Sequence, residues 1–429
     1  MAQHDNQTVK LTSIVGGGQA LGVLESGKKV FVWGGLPDET VEVRITKKKS
    51  SYAEAVVERV IKASPQRVQA KDAAFLSTSP WQIMDFEAEQ HYKSALIEEA
   101  FELHDIVLPG PIKVFSDNQI YHYRNKVEFS FWWDNDKNIL DLAFFRRGTK
   151  GKLPVEDTSL ARPEINALAT AIRDILRSKQ VEARDLKTLM IRSSQSGQVA
   201  FQLYVKDKKC QPLEATDFES LPAQGGEVIY SDPKSPASKI TEVLTSFGQT
   251  KLSDNLLEHD FSYVVNGFFQ VNLPVYEQAL QDMKNYLSNR PLIDMYAGVG
   301  SIGLSIGPSR TTLVELDPFA VSEMKRNIEA NGMQATAVLA ASEKALDHIA
   351  SDRDIIVDPP RAGLHKDVIN KLLAAKPPRI IYLSCNPVTQ ARDVALLAEK
   401  YGIKAHRGYN FFPRTPHIEH LVVLDLKGL

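Results

Sequence analysis

Pro291-Leu292-Ile293-Asp294-Met295-Tyr296-Ala297-Gly298-Val299-Gly300-Ser301 decides the fold. An apolar run enters a glycine turn, and a helical pattern follows: strand, tight turn, helix. Gly298 and Gly300 let the backbone approach a ligand at a helix N-terminus. The turn reads as carrying these two glycines rather than the three of a dinucleotide fingerprint. Strands are predicted at Pro291 to Met295, Thr312 to Leu316, Ile355 to Val357, Ile380 to Leu383 and His420 to Leu426, with helices between the first four. That alternation predicts a doubly wound, Rossmann-like α/β domain with a mostly parallel sheet. Such folds gather ligands at the carboxyl ends of the strands.

The chemistry should therefore lie at those ends. The second strand closes on Val314-Glu315-Leu316-Asp317. An acid about 20 residues beyond the glycines is placed to accept ribose hydroxyls, so Glu315 is the ribose candidate. Asp317, followed by Pro318, reads as a helix cap. With two glycines and an acid, an adenosine compound without a pyrophosphate fits better than a nicotinamide dinucleotide. S-adenosylmethionine is the obvious one. The third strand runs into Asp358-Pro359-Pro360-Arg361-Ala362-Gly363. Amino-group methylases typically carry an aromatic after the two prolines, to stack the target base. Arg361 argues against that chemistry. The fourth strand ends in Ser384-Cys385-Asn386-Pro387. A cysteine is more often a buried packing residue, but this place at the ligand edge favours a working thiol. Cys210, in Lys208-Lys209-Cys210-Gln211-Pro212, has no such context and reads as packing. The loop Phe412-Pro413-Arg414-Thr415-Pro416-His417-Ile418-Glu419 could bring His417 or Glu419 over the site.

Upstream the pattern is different. Short alternating strands from Val9 to Ile61, broken by Gly16-Gly17-Gly18 and Gly34-Gly35, predict a small β-barrel. Residues from 120 to 265 read as mostly strand. Val127, Phe129, Phe131 and Trp133 share one face, and a helix is expected from Ile165 to Leu176. A further helix is expected between Ala88 and Leu103. Two basic loops stand out. Lys47-Lys48-Lys49 is either a solvated hairpin or a backbone contact for nucleic acid. Arg146-Arg147-Gly148-Thr149-Lys150-Gly151-Lys152 has the composition of a phosphate grip or of a plain surface turn.

The chain has 429 residues, 43% hydrophobic and 24% charged, with a net charge of −2. That excludes a uniformly basic nucleic-acid-coating protein, so any nucleic-acid affinity would have to come from local patches. Two cysteines cannot build a disulfide scaffold, a four-cysteine zinc site or an iron–sulfur site. No apolar run approaches the ~20 residues of a membrane span, and the start lacks a secretory apolar stretch. The expectation is a cytoplasmic protein with no membrane partner.

Six stretches together resemble the RNA (uracil-5-)-methyltransferase family. They are Tyr123-Arg124-Asn125-Lys126-Val127-Glu128-Phe129, Phe268-Phe269-Gln270-Val271-Asn272, Asp294 to Gly300, Asp358 to Gly363, Ser384 to Pro387 and Thr415 to Glu419. The N-terminal segment resembles a TRAM domain in Gly16 to Gly22, Val30-Phe31-Val32, Leu36-Pro37 and Ser64 to Val68. The resemblance implies 5-methyluridine formation from S-adenosylmethionine. Cofactor contacts would come from Gln270, Tyr296, Glu315 and Asp358 beside Gly298 and Gly300. Cys385 would be the nucleophile and Glu419 the proton acceptor. It implies a TRAM-like RNA-binding barrel over 1–66, a central RNA-binding domain over 67–265 and a methyltransferase domain over 266–429. Residues 93–123 could pack with the last. The TRAM-like segment points to ribosomal RNA, with the T-loop uridine of transfer RNA as the alternative. A non-catalytic RNA-binding protein and a cytosine carbon 5 methyltransferase are the competing classes.

The departures are specific. Relatives with a TRAM domain often hold an iron–sulfur cluster on four cysteines. Here Leu76-Ser77-Thr78-Ser79 stands where a C-G-G-C run would be, and Thr158 stands at the last ligand position. No cluster and no metal are expected. Ala297 replaces a frequent cysteine, Asn410 a frequent aspartate, and the family's usual aspartate is absent at Ala341-Ser342-Glu343.

Overall fold

The computed structural model describes residues 6–428. The chain divides into two units. The first holds residues up to Tyr92, Gln119–Leu252 and Pro413–Pro416. The second holds Lys93–Asn118, Ser253–Phe412 and the residues from His417 onward. The division falls inside the helix Phe86–Glu102.

In the first unit, five strands close into a barrel in the order Asn6–Ile14, Ala20–Val23, Lys29–Trp33, Tyr52–Lys62 and Thr40–Lys48. Alternate residues point inward: Val9 and Leu11, Val30 and Val32, Val41 and Val43, Ala53 and Ala55 form its buried core. The same unit contains a seven-stranded sheet. Its order is Glu242–Gly248, Gly225–Tyr230, Val199–Val205, Leu186–Ser193, Lys126–Asp134, Ile139–Phe145 and Lys152–Val155. The helix Pro163–Ser178 lays Ile165, Leu168, Ala169, Ile172 and Leu176 on one face of that sheet. These positions follow the 3.6-residue period. Val127, Phe129 and Phe131 meet them with the period of a strand, as expected.

The segment where related proteins would hold a cluster is tied by hydrogen bonds instead. Gln82 is fully buried. Its amide nitrogen donates to Ser79 Oγ at 2.7 Å and to Asp72 Oδ2 at 3.0 Å, and its oxygen accepts from the Lys71 and Asp72 amides. Thr158 Oγ1 and the Ser159 amide donate to Asp72. Ser79 and Thr158, at two of the expected cluster positions, thus share one polar network around Asp72. Satisfied partners let these groups stay buried.

In the second unit an eight-stranded sheet runs Ala335–Leu339, Thr311–Glu315, Leu292–Met295, Asp354–Val357, Arg379–Ser384, Glu419–Leu426, Tyr401–Tyr409 and Val114–Phe115. The first five strands are parallel and Glu419–Leu426 is antiparallel to its neighbours. The order reverses at Leu292–Met295, which pairs with Thr311–Glu315 on one side and Asp354–Val357 on the other. Ligands of such sheets bind at this switch point. The five predicted strands are present. Three more, Ala335–Leu339, Tyr401–Tyr409 and Val114–Phe115, lie outside the sequence expectation. The edge strand Ala335–Leu339 has no fully buried residue, so its apolar alternation is weak. Asp317 caps the helix Pro318–Ala330 by accepting from the Phe319 amide at 2.9 Å. Among the described residues no helix is long and apolar enough to cross a membrane.

Candidate active site

The glycine turn begins with a strained residue. Tyr296 follows the strand Leu292–Met295 with φ +67°, a left-handed conformation that costs a non-glycine residue about 1 kcal/mol or more. This turns the backbone sharply at the sheet edge. The Tyr296 hydroxyl is held by Ser342 and by the His365 backbone. Ser342 opens a short 3-10 helix in the stretch that lacks an aspartate.

A cleft open to solvent lies along the turn. Its walls include Phe268, Gln270, Tyr276, Tyr296, Gly298 and Asp358. Four of the six predicted cofactor residues (Gln270, Tyr296, Gly298 and Asp358) therefore share one cavity. Gly298 has φ +57°, and a Cβ built on it would meet nothing nearer than Phe268 at 4.0 Å. The space beside it is available to a ligand. Gly300 stands behind the cleft as N-cap of the helix Ser301–Ile306. Glu315 braces the turn: Oε2 accepts from the Gly298 amide at 2.9 Å, and Oε1 accepts from the Leu316 and Asp317 amides, both at 2.8 Å. Oε2 keeps a lone pair for a ligand hydroxyl.

One sequence reading needs correction. Gly303 stands three residues after Gly300, so the turn does carry a third glycine and has the G-x-G-x-x-G spacing. Its absence cannot be used against a dinucleotide. Gly303 is a packing glycine. Its amide donates to Asp294 Oδ2 at 2.8 Å, and a Cβ would lie 2.3 Å from Leu313. Asp294 is fully buried, and its Oδ1 has no hydrogen-bond partner. Burial pushes its carboxyl up to about 8, with Asp358 and Glu315 adding to the shift.

Cys385 follows the strand Arg379–Ser384, and Asn386 caps the next helix, Pro387–Leu397. The strand pairs with Glu419–Leu426 up to Ser384↔His420. Cys385 and Glu419 are the chain neighbours of that last pair. Their electrostatics agree. Burial pushes the Cys385 thiol up to about 11, helped by the Glu419 and Asp358 carboxylates and opposed by Arg361. Burial also raises Glu419 well above the usual carboxylate range; Asp358 adds to this and Arg361 opposes it. Burial alone raises Asp358 to about 7. Asp358 thus belongs both to the cleft and to the surroundings of the Cys385–Glu419 pair.

The loop from Asp358 to Gly363 is fixed by residues that no motif revealed. The Arg361 carbonyl accepts from Asn386 Nδ2 at 2.9 Å and Thr389 Oγ1 at 3.1 Å. Asp393 Oδ2 accepts from the Leu364 amide at 2.7 Å and from the Tyr382 hydroxyl at 2.9 Å. Gln390 Nε2 donates to the carbonyls of Tyr382 and His420, both at 2.9 Å, locking the two strands that carry Cys385 and Glu419. Their only sequence signal is a polar stripe on a helix that otherwise reads as surface. His417 is exposed, and its Nδ1 lies 3.2 Å from Arg361 Nη2, so that nitrogen is an acceptor here. Phe269 is buried in a stack on Tyr263 with ring centroids 4.3 Å apart, whereas Phe268 is 71% exposed at the cleft. Of the two, only Phe268 can offer a face to a base. Asn410 accepts from the buried Lys93 ammonium, which also donates to the Phe412 carbonyl at 3.1 Å. Among the described residues no group of three or more His, Cys, Asp or Glu side chains could hold a metal ion.

A raised thiol has a direct readout. Alkylation of Cys385 by iodoacetamide is expected to rise about tenfold per pH unit from 7 to 10 without levelling, because only the thiolate reacts. Arg361→Gln removes the cation that favours the thiolate and should slow alkylation at every pH in that range. Peptide-level mass spectrometry separates Cys385 from Cys210. A plateau by pH 9 would contradict the raised thiol.

The tRNA (uracil-5-)-methyltransferase family profile matches residues 86–427, and the TRAM domain profile matches residues 5–57. A Lactiplantibacillus plantarum protein described as an uncharacterized RNA methyltransferase is 30% identical over 439 residues, covering 95% of this chain and 94% of its own. An Enterococcus faecalis protein of the same description is 29% identical over 421 residues, covering 92% of each. Among solved structures, the Pyrococcus abyssi tRNA (uracil-54, C5)-methyltransferase in complex with S-adenosyl-L-homocysteine superposes with a TM-score of 0.80. It covers 97% of this chain and 100% of its own at 20% identity. At that identity the likeness is one of fold.

Proposed function

Because the chain belongs to the tRNA (uracil-5-)-methyltransferase family and is an S-adenosylmethionine-dependent RNA methyltransferase, we propose that it methylates carbon 5 of a uridine in ribosomal RNA through a covalent cysteine–uracil adduct. The observation that carries this reading is that Cys385 and Glu419 flank the last pair of one antiparallel strand pair and that the Glu419 and Asp358 charges act on the Cys385 thiol, Asp358 also lining the glycine-turn cleft.

The residues supply a complete sequence of steps. Carbon 5 of uracil is a weak nucleophile. The Cys385 thiolate bonds to carbon 6, and the ring π electrons move onto the carbonyl oxygen as an enolate. Gln270, Tyr296, Glu315 and Asp358 around Gly298 would hold S-adenosylmethionine, whose sulfonium would supply the electrophilic methyl; as the enolate returns its electron pair through carbon 5 to that methyl, the sulfur–methyl bond would break and S-adenosylhomocysteine would leave. Carbon 5 then carries both its proton and the new methyl. The Glu419 carboxylate takes the proton, the double bond re-forms, and the carbon 6–sulfur bond breaks to return the thiolate. The charges around Cys385 suit this order. A thiol raised to about 11 is a neutral resting state, and a cationic sulfonium beside Asp358 would favour the thiolate. A flipped base needs a stacking face, and Phe268 offers one.

The TRAM-like barrel supports ribosomal RNA. Transfer RNA is a second reading, favoured by a specific observation: the Pyrococcus enzyme, named for transfer RNA uracil 54, matches the fold over 97% of this chain, barrel included. Nucleoside mass spectrometry of separated ribosomal and transfer RNA, from cells with and without the protein, tests both. Loss of 5-methyluridine from ribosomal RNA is expected. Loss from transfer RNA alone moves the substrate to the T-loop, and no loss from either overturns the uridine assignment.

A further inference from the structure

The two basic loops, each ambiguous in the sequence, come together on the first unit. The strand Ile139–Phe145 and the strand Lys152–Val155 are joined by the loop 146–151, which the Arg146 amide closes by donating to the Gly151 carbonyl at 2.9 Å. That loop lies on the barrel. A Cβ built on Gly148 would stand 2.8 Å from Thr46 Cγ2 and 3.4 Å from Val56 Cγ2. Arg147 fastens the loop from beneath, with its guanidinium 4.2 Å from the Trp33 ring centre and Nε donating to the Leu76 carbonyl. Lys152 is also engaged, donating to the Phe131 carbonyl at 2.8 Å. So Arg147 and Lys152 are fastenings, and the grip expected over the whole loop narrows to Arg146 and Lys150, both exposed.

The barrel contributes cations to the same surface. Lys48 lies two residues beyond Thr46 on Thr40–Lys48, about 7 Å along a strand, and Lys49 follows it. Both are exposed. Lys28 lies against them, donating to the Lys49 carbonyl at 2.9 Å. Lys47 is paired with Glu54 at 3.0 Å and is not counted. Beside the cations sits Phe145, 62% exposed at the end of its strand. The Lys152 ammonium lies 5.2 Å from its ring centre over one face, and the other face can stack a base.

We infer that Lys48, Lys49, Arg146 and Lys150, with Phe145, form a docking surface for single-stranded RNA that bridges the barrel and the seven-stranded sheet. The inference rests on RNA being the substrate, and it adds where unpaired nucleotides outside the catalytic cleft are held. Cations on a chain of net charge −2 mark an anionic partner. The adjacent aromatic specifies unpaired bases over a duplex, whose π faces are already stacked.

The test uses the full chain and a fluorescent uridine-rich single-stranded oligonucleotide, with binding read by anisotropy without cofactor. Lys48→Glu/Lys49→Glu and Arg146→Glu/Lys150→Glu are each expected to weaken binding by roughly tenfold or more, and to lower the salt slope by ~0.7 for each phosphate that is no longer neutralised. Phe145→Ala should weaken binding about tenfold with the slope unchanged. Lys325→Glu/Lys366→Glu, exposed positions on the other unit, makes the same change in net charge and should leave affinity within about twofold. Equal weakening in this control would show a net-charge effect and overturn the surface. So would wild-type affinity in both charge-reversed pairs. An unaffected Phe145→Ala protein, or equal weakening on a duplex probe, would overturn the single-strand assignment. Methyl transfer by the wild-type protein is measured separately, so a protein that binds through this surface yet methylates no RNA would sink the proposed reaction alone.

Discussion

Cys385→Ala is expected to lower methyl transfer to RNA by ~10⁴-fold or more, while the dissociation constant for S-adenosylmethionine stays within about twofold. Both halves follow from placement. Cys385 does not line the cleft formed by Gln270, Tyr296, Gly298 and Asp358, so its sulfur can be removed without opening that wall. No second thiol can substitute. The other cysteine, Cys210, packs against the core of the seven-stranded sheet in the first unit. Without the sulfur, carbon 5 stays part of an unactivated ring, and the cofactor methyl has no nucleophile to meet. Incorporation of labelled methyl into RNA gives the rate, and calorimetry of cofactor binding gives the control. Turnover within tenfold of wild type would remove Cys385 from the nucleophile role. A parallel loss of cofactor affinity would instead mean that the substitution disturbed the loop after Arg379–Ser384.

Local patterns make the parallel sheet and its strand ends legible, because each motif there is a strand followed at once by a turn. The glycine turn, Asp358 and Cys385 each stand directly after a strand, and their shared edge follows from the fold rule alone. Glu419 is different. Its nearness to Cys385 comes from antiparallel pairing between segments more than thirty residues apart, with Tyr401–Tyr409 on the far side. Nothing local sets that register. The strand Tyr401–Tyr409 itself is hidden because its middle mixes Lys404, His406 and Arg407 with half-buried neighbours. The clamps made by Gln390 and Asp393 are invisible for a related reason. Both are polar residues on a helix and read as solvated, yet both are fully buried between the strands they hold. The basic loop 146–152 shows the limit from the other side. Composition counts Arg146, Arg147, Lys150 and Lys152 alike, and only packing against Trp33 and Phe131 shows that two of the four are already engaged. The third glycine, Gly303, is a different case, because its position is legible in the sequence while its packing role against Leu313 is not.

Glu419→Gln is expected to trap a covalent protein–RNA adduct through Cys385. Thiolate addition and methyl transfer require no base at carbon 5. Elimination does, since the thiolate cannot leave with double-bond formation until the carbon 5 proton is gone. Gln keeps the size of Glu and most of its hydrogen bonding but accepts no proton at this stage. The surroundings make it a mild change before that step. Glu419 is buried, and Gln matches its size in that place while removing only the oxygen that would accept the proton. The variant should fold, bind and methylate once, then stall as a species stable to denaturation. His417 is the other group that the sequence brings to this loop. Its exposure and its Nδ1 contact with Arg361 fit a residue that orients the guanidinium, and His417→Gln should cost about tenfold or less with no adduct. Each variant is incubated with RNA and labelled cofactor and run on a denaturing gel. A labelled adduct from His417→Gln but not from Glu419→Gln would transfer the role to the histidine. No adduct from either would mean that solvent, rather than a side chain, removes the proton. In that case the burial of Glu419 beside Cys385 would serve to hold the thiol neutral until RNA and cofactor arrive.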